Sequence, residues 1–206
     1  MAQKYVIVST DDLSVASLSL LKYWDWLKER HTGLKLSAFV VPLWWGRKEN
    51  DVYRSVRFRQ EMEKRPWISV CQHGYNHLKN PAPECQRFLG KQYGMIRRGL
   101  RKIARFMPKD VWIFKAPFYR ISEPTFGLLQ KMGFTAVIHW NQVVMLKDLK
   151  KPLPPFKVVS SHSNLDESNP DDVRFIHKKL DKELLELEDE GYQYATFAEL
   201  IKKCLA

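Results

Sequence analysis

A chain of 206 residues suits one domain, read here as residues 1–206, and is long enough to bury a sizeable core. With 45% hydrophobic and 28% charged residues the composition is that of a soluble globular protein, which excludes a disordered or fibrous chain. The formal net charge of +11 is the unusual figure: it points to an anionic partner such as nucleic acid, a phosphate-bearing substrate or anionic lipid, or to a basic surface that serves solubility alone.

The opening MAQKYVIVSTDD has no apolar stretch with a cleavage site, so no secretory signal is read. Residues 39–45 form the longest apolar run, too short to span a bilayer and broken by Pro42. Cys71, Cys85 and Cys204 are too widely spaced for a disulfide framework. These features predict a cytoplasmic protein with reduced thiols.

In chain order, residues 4–9 (KYVIVS) predict a buried strand that stops at Thr10-Asp11-Asp12. Residues 14–30 carry Leu18, Leu21 and Leu27 at helical spacing. Residues 36–41 predict a second strand, 51–64 a charged helix, and 68–71 a third strand leading into Gln72-His73-Gly74. Residues 84–106 predict a long basic helix with breaks offered at Gly90, Gly94 or Gly99. A fourth strand at 111–114 runs into Lys115-Ala-Pro117, and a helix at 123–132 stops at Gly133, which tolerates positive φ. Strands follow at 134–140, 143–146 and 157–161, the last leading into His162. A charged helix at 171–190 ends at Gly191, and a strand at 192–195 and a helix at 197–205 close the chain.

Strands alternating with helices predict an α/β fold with a mainly parallel sheet, either a barrel or a doubly wound sheet. Asp11, Asp12, His73, Lys115 and His162 all fall at C-terminal ends of strands, where β/α barrels gather their chemistry.

His73-Gly-Tyr-Asn-His77 is the sharpest local signal: two imidazoles four apart face one metal if the segment turns helically. The bland alternative is a pair of solvent-facing histidines. Asp11 and Asp12 offer adjacent carboxylates whose side chains diverge, one for a metal and one for a proton; alternatively one caps the helix that follows. His162 gains meaning only as a member of this set.

Taken together, Asp-Asp after the first strand, H-x-x-x-H after a middle one, a basic-x-Pro segment after the next, and a histidine after a late strand resemble the polysaccharide deacetylase family (carbohydrate esterase family 4). The closing Gly191-Tyr-Gln-Tyr-Ala-Thr-Phe-Ala-Glu-Leu200 is similar to that family's C-terminal end. The resemblance spans residues 5–201 and implies a single irregular (β/α) barrel of about seven strands. It implies Asp12, His73 and His77 as ligands of a divalent metal: zinc first, with cobalt, nickel, iron and manganese as alternatives. It implies Asp11 as the base acting on a metal-bound water and His162 as the acid that protonates the leaving amine. Lys115-Ala-Pro117-Phe118 matches the family's arginine-x-Pro-aromatic segment, which orients the base, with lysine where that family has arginine. Leu13 stands where the family has glycine, and its later Asp-Trp segment is not recognisable, Trp140-Asn141 lying nearest to it. The implied activity is removal of an N-acyl group, acetyl or formyl, from a carbohydrate-like substrate, anionic or lipid-linked. A catalytically inactive basic barrel that binds an anionic glycan or nucleic acid is the alternative.

Tyr75, Pro117, Phe118, Tyr119 and Trp140 are the candidate substrate-binding residues, while Trp44 and Trp45 divide between core and binding surface. Arg97, Arg98, Arg101, Lys102 and Arg105 form a basic stretch, a solvated face or a phosphate contact. Cys71 is read as a small buried hydrophobe.

Overall fold

The computed structural model describes residues 3–78, 83–162 and 170–205. Eight strands form one sheet: β1 (Tyr5–Leu13), β2 (Leu36–Val40), β3 (Ile68–His73), β4 (Ile113–Lys115), β5 (Ala136–His139), β6 (Gln142–Met145), β7 (Phe156–His162) and the two-residue β8 (Gln193–Tyr194). Six α-helices accompany them: α1 (Leu21–Arg30), α2 (Val56–Glu63), α3 (Leu89–Ile103), α4 (Glu123–Lys131), α5 (Pro170–Asp189) and α6 (Phe197–Leu205).

The strand order is β6-β5-β4-β3-β2-β1-β7, with β8 beside the start of β1. Every pairing is parallel except the β5–β6 hairpin. Among the described residues β6 and β7 do not pair, so the sheet curls into an incomplete barrel of seven main strands. This is the irregular barrel that the family resemblance implies.

Strand alternation builds two cores. Val6, Val8, Leu36 and Val70 face the outer helices with Leu21, Trp24 and Leu27 of α1. Ile7, Phe39, Cys71, Ile113, Ala136 and Ile138 fill the barrel interior. There they meet Phe197, Ala198, Leu200 and Ile201 of α6, which closes the barrel from the strands' N-terminal end. A capping box starts α6: Thr196 N–H donates to Glu199, and Glu199 N–H donates to Thr196 Oγ1. Full burial of each such large apolar side chain contributes roughly 1.5–3 kcal/mol. Above this floor Phe39 is a middle layer, with Phe197 at 6.0 Å on one side and His73 at 6.4 Å on the other. The floor is apolar and the mouth is polar, which leaves one end of the barrel for chemistry.

Several boundaries differ from expectation. β1 runs through both aspartates to Leu13 instead of stopping before them. Residues 15–20 are a 3₁₀ helix capped by Ser14, so Asp12 is not the cap and the α-helix begins only at Leu21. Residues 51–54 form a turn, and α2 starts at the Ser55 cap, whose hydroxyl accepts from Phe58 N–H. Gly90, Gly94 and Gly99 do not break α3. Gly99 instead sets its closest approach, since a Cβ there would lie 2.5 Å from Gln72 Nε2 and 3.1 Å from the Gly74 carbonyl. No helix of the described residues is long and apolar enough to cross a membrane, and all three cysteines are free and buried. Burial pushes the Cys71 thiol up to about 12, in keeping with its reading as an inert hydrophobe.

Candidate metal centre and active site

The register of β1 against β2 slips between Thr10 and Leu13, and Asp12 takes a left-handed φ of 64°. Such a bulge re-aims a side chain. Here it lets consecutive aspartates, which would alternate on a regular strand, line the same pocket. The bend is absorbed by Asp12 itself, so Leu13 is free to be fully buried.

His73 ends β3, opposite Lys115 in the β3–β4 register. Its Nδ1 donates to the Lys115 carbonyl at 3.1 Å, which leaves Nε2 turned to the pocket. His77 is four residues on but not one helical turn on; Gly74 and His77, at φ 57° and 56°, fold the segment back as an irregular loop. The helical turn assumed for the pair is thus corrected, while their convergence holds. Nε2 of His77 and of His73 lie 2.9 and 3.3 Å from Asp12 Oδ1. One ligand atom from each of the three residues lies within 4.8 Å of the others.

Despite those short separations, Asp12 Oδ1 is buried without an aligned hydrogen bond. Three potential ligand atoms within 4.8 Å of one another, one of them a buried carboxylate oxygen without an aligned hydrogen bond, fit a divalent cation with open coordination positions. Burial opposes ionisation of Asp12, but the two imidazoles outweigh it and hold the carboxyl well below the usual carboxylate range. For His73 burial favours the neutral ring, and Asp12 and Asp11 overcome it to raise the pKa.

The loop that carries His77 hangs on Glu84. Its carboxylate accepts from the backbone N–H groups of Tyr75, Asn76 and His77 at 2.6, 2.7 and 2.5 Å. Burial raises the Glu84 pKa and these three donors oppose the rise. Sequence reasoning missed Glu84, since a lone acid starting a 3₁₀ turn carries no motif. The loop also pairs with residues 43–45, Leu43 N–H donating to Tyr75 O and Trp45 N–H to Asn76 O. Trp44 therefore stacks on His77 at 5.2 Å, and Phe118 approaches the same ring at 4.5 Å.

Asp11 is the second focus. Lys115, itself 1% exposed, rises from the barrel interior over the Phe39 ring and donates to Asp11 Oδ1 at 2.8 Å. Tyr119 Oη donates to Oδ2 at 3.1 Å. His162, the register partner of Asp11 on β7, places Nε2 3.8 Å from the same Oδ2 with its side chain 48% exposed. A buried acid and a half-exposed imidazole thus face each other beside the candidate ligands.

A pocket of about 230 Å³ opens between these groups, lined by Asp11, Asp12, His73, His77, Ala116, Phe118, Tyr119 and His162. Of the expected substrate-binding residues, Phe118 and Tyr119 line it, and Tyr75, Pro117 and Trp140 do not. Pro117 is buried against Gly74, Tyr75 lies under Arg98 at 5.3 Å, and Trp140 stacks outside Tyr119 at 4.4 Å with an interplanar angle of 5°. Trp44 and Trp45 are rim residues, not core. The exposed Arg97, Arg98, Arg101 and Arg105 lie on the outward face of α3 and the short turn after it. A larger cleft of about 560 Å³ lies at the opposite end of the barrel, near Lys35, Trp67 and Glu199, and holds none of this chemistry. The described residues contain six non-glycine residues with left-handed φ: Asp12, Trp45, His77, Phe118, Tyr119 and Trp140, all at or around this pocket.

No protein-family model matches this chain, and no curated protein matches it. Solved structures do. The CE4 domain of a multidomain xylanase from the hindgut metagenome of Trinervitermes trinervoides is similar over 98% of this chain and 91% of that one, with a TM-score of 0.67 and 15% identity. A CE4 family pseudoenzyme from Bacillus anthracis is similar over 97% of this chain and 66% of that one, with a TM-score of 0.66 and 15% identity. A family 4 acetyl xylan esterase from Clostridium thermocellum, solved in complex with a cobalt ion, is similar over 97% and 91%, with a TM-score of 0.58 and 14% identity. The fold of this chain is that of these CE4 structures.

Proposed function

We propose that this chain is a metal-dependent deacylase of the carbohydrate esterase family 4 type, acting on an N-acyl, carbohydrate-like substrate. The observation that carries the reading is the convergence of Asp12, His73 and His77 around an unsatisfied carboxylate oxygen, next to a separately anchored Asp11. Those three residues would hold the cation, with zinc the first expectation from the nitrogen-rich set. A bound divalent ion of this kind supplies Lewis acidity, lowering the pKa of water from 15.7 to about 7 and polarising an acyl carbonyl.

The rest is the chain's own chemistry. Asp11 is fixed by Lys115 and keeps Oδ2 towards the pocket, where it accepts the proton of the attacking water. His162 faces the same oxygen and hands a proton to the departing nitrogen. Paired base and acid of this kind typically contribute ~10²–10⁴-fold. Phe118 and the Trp44 ring pack against the His77 imidazole at 4.5 and 5.2 Å, which limits solvent at that ring.

The substrate class is read from charge. Residues 89–106 contain Lys91, Arg97, Arg98, Arg101, Lys102 and Arg105 and no carboxylate. Among the described residues only Lys102 in this stretch forms an ion pair, with Asp51. Arg98 reaches over Tyr75, on the loop that carries His77. This face supports a negatively charged acylated sugar, phosphorylated or lipid-linked.

Elemental analysis of the protein beside its His73→Ala/His77→Ala variant tests the reading, together with acetate and formate release from a panel of N-acylated aminosugars. We expect about one divalent metal per wild-type chain, none in the variant, and KM rising with salt for phosphorylated substrates. A wild type that takes up no zinc, cobalt or nickel would overturn the metal-dependent reading and leave the inactive, anion-binding barrel.

A further inference from the structure

Lysine at 115 offers a carboxylate a point charge, whereas the fork of an arginine grips both oxygens at once. A single-point anchor leaves a carboxylate free to rotate about its Cβ–Cγ bond. Asp11 is nevertheless bonded at both oxygens, by Lys115 Nζ on Oδ1 at 2.8 Å and by Tyr119 Oη on Oδ2 at 3.1 Å. The two donors come from the same short segment, one at the end of β4 and one at the end of the 3₁₀ turn that follows.

That turn is built at a conformational cost. Phe118 and Tyr119 are consecutive, non-glycine and left-handed, with φ of 57° and 54°. Residues held this way cost of order 1–3 kcal/mol each and persist only where surrounding contacts over-determine them. For Tyr119 those contacts are specific. Its ring lies flat on Trp140 at 4.4 Å and 5°, and Lys115 Nζ sits 5.0 Å from its centroid. Trp140 is itself left-handed at φ 54°. Two strained loops therefore meet to hold one phenol against Asp11.

Resting on the deacylase reading, we propose that Tyr119 is a positioning residue. Its hydroxyl and the Lys115 ammonium together replace a bidentate guanidinium, fixing the plane of the Asp11 carboxylate, and Trp140 clamps the tyrosine in place. An ionised carboxyl group has about four acceptor positions. Oδ2 can accept from Tyr119 and still present a lone pair to the pocket, where His162 lies.

The test uses Tyr119→Phe, which keeps the ring and its stacking and removes only the donor, alone and combined with Lys115→Arg. We expect Tyr119→Phe to lower kcat by about 10- to 100-fold, the scale of a misoriented catalytic group, with KM and metal content unchanged. Adding Lys115→Arg should restore most of that loss, because the guanidinium supplies both donors. A purely structural tyrosine would not be rescued from position 115. Wild-type kcat in Tyr119→Phe overturns the proposal, as does a loss that Lys115→Arg leaves in place. A second readout needs no substrate, so that a failure of the deacylase reading stays distinct from a failure of this one. In a thermal-unfolding cycle of Asp11→Ala and Tyr119→Phe on the metal-free protein, we expect the Tm shifts to be non-additive by about 2–4 °C. Additive shifts overturn the pairing even if no acylated sugar is ever turned over.

Discussion

His73 and Lys115 are register partners at the ends of β3 and β4, and the Lys115 carbonyl accepts the His73 Nδ1 proton at 3.1 Å while the Lys115 ammonium donates to Asp11. One residue thus sets the tautomer of a candidate ligand with its backbone and anchors the candidate base with its side chain. The candidate-ligand half and the candidate-base half of the pocket are joined through a single strand end.

Replacing Asp11 separates the two halves. Asp11→Asn should lower turnover by about 10²–10⁴-fold while the metal stays bound. It also leaves the buried Lys115 ammonium without its counter-charge, and breaking a buried pair costs about 3–5 kcal/mol. Kinetics, elemental analysis and a melting curve on one preparation check all three outcomes. Loss of the metal would mean that the roles of the two aspartates are exchanged.

His162→Ala should act on the leaving group. On amide substrates, where the departing nitrogen needs a proton, we expect a loss of about 100-fold. Ester analogues with a good leaving group should be affected much less. Equal rates for wild type and variant on amides would remove His162 from the mechanism.

Among the described residues the Glu84 carboxylate is hydrogen-bonded to backbone and not to a candidate ligand side chain, holding Tyr75, Asn76 and His77 by their N–H groups. Groups that orient a metal ligand typically contribute 10–100-fold in affinity. Glu84→Gln, which keeps the shape and removes the charge, should weaken zinc binding by about that factor in a chelator competition, with the fold retained by circular dichroism.

Metal affinity should rise with pH. In the metal-free protein burial favours the neutral His73 ring, and Asp12 and Asp11 overcome it to raise its pKa above that of a free histidine. Stability from that charged ring is fully present below about 6.5, the unfolded value, and is lost as pH climbs through the folded one. Binding requires the neutral ring. The Asp12 carboxyl, held low, is ionised throughout this window and adds no slope. The Tm gain on adding zinc should therefore be larger at pH 8 than at pH 6, with proton release detectable in weak buffer. An equal gain at both values would contradict the assignment.

Gly74 has no tolerance for a side chain. A Cβ there would lie 2.5 Å from Pro117 Cγ and 2.7 Å from Glu84 Oε2, at φ +57°. Gly74→Ala should lower Tm by several degrees, since overpacking of this kind costs about 1–3 kcal/mol, and should weaken metal binding with it. Thermal shift with and without zinc reads both.

The α/β sheet was legible because its signals are periodic or fall at strand ends, while the choice of a barrel over a doubly wound sheet came from the family resemblance. Short apolar strands set the sheet, and polar residues at their C-terminal ends marked Asp11, Asp12, His73, Lys115 and His162 as one group. What the sequence did not disclose depends on backbone departures that no local pattern announces. Asp12 reaches the pocket through a bulge, His77 through an irregular loop, and Tyr119 through two successive left-handed residues. Nothing in the isolated Glu84 signals that three N–H groups nine, eight and seven residues earlier will converge on it. The Tyr119 hydroxyl reads as one more aromatic contact until the chain has folded it onto Asp11.

The left-handed rim has an evolutionary consequence. Asp12, Trp45, His77, Phe118, Tyr119 and Trp140 all hold conformations in which glycine would be more comfortable. Selection for heat resistance alone would relax these positions early, because each offers an easy gain. Selection for turnover would keep them, since a relaxed rim no longer aims its rings and carboxylates. Lineages of this barrel that have abandoned catalysis should betray themselves by glycine or asparagine at Trp45, Phe118, Tyr119 and Trp140 before Asp12 or His77 is lost.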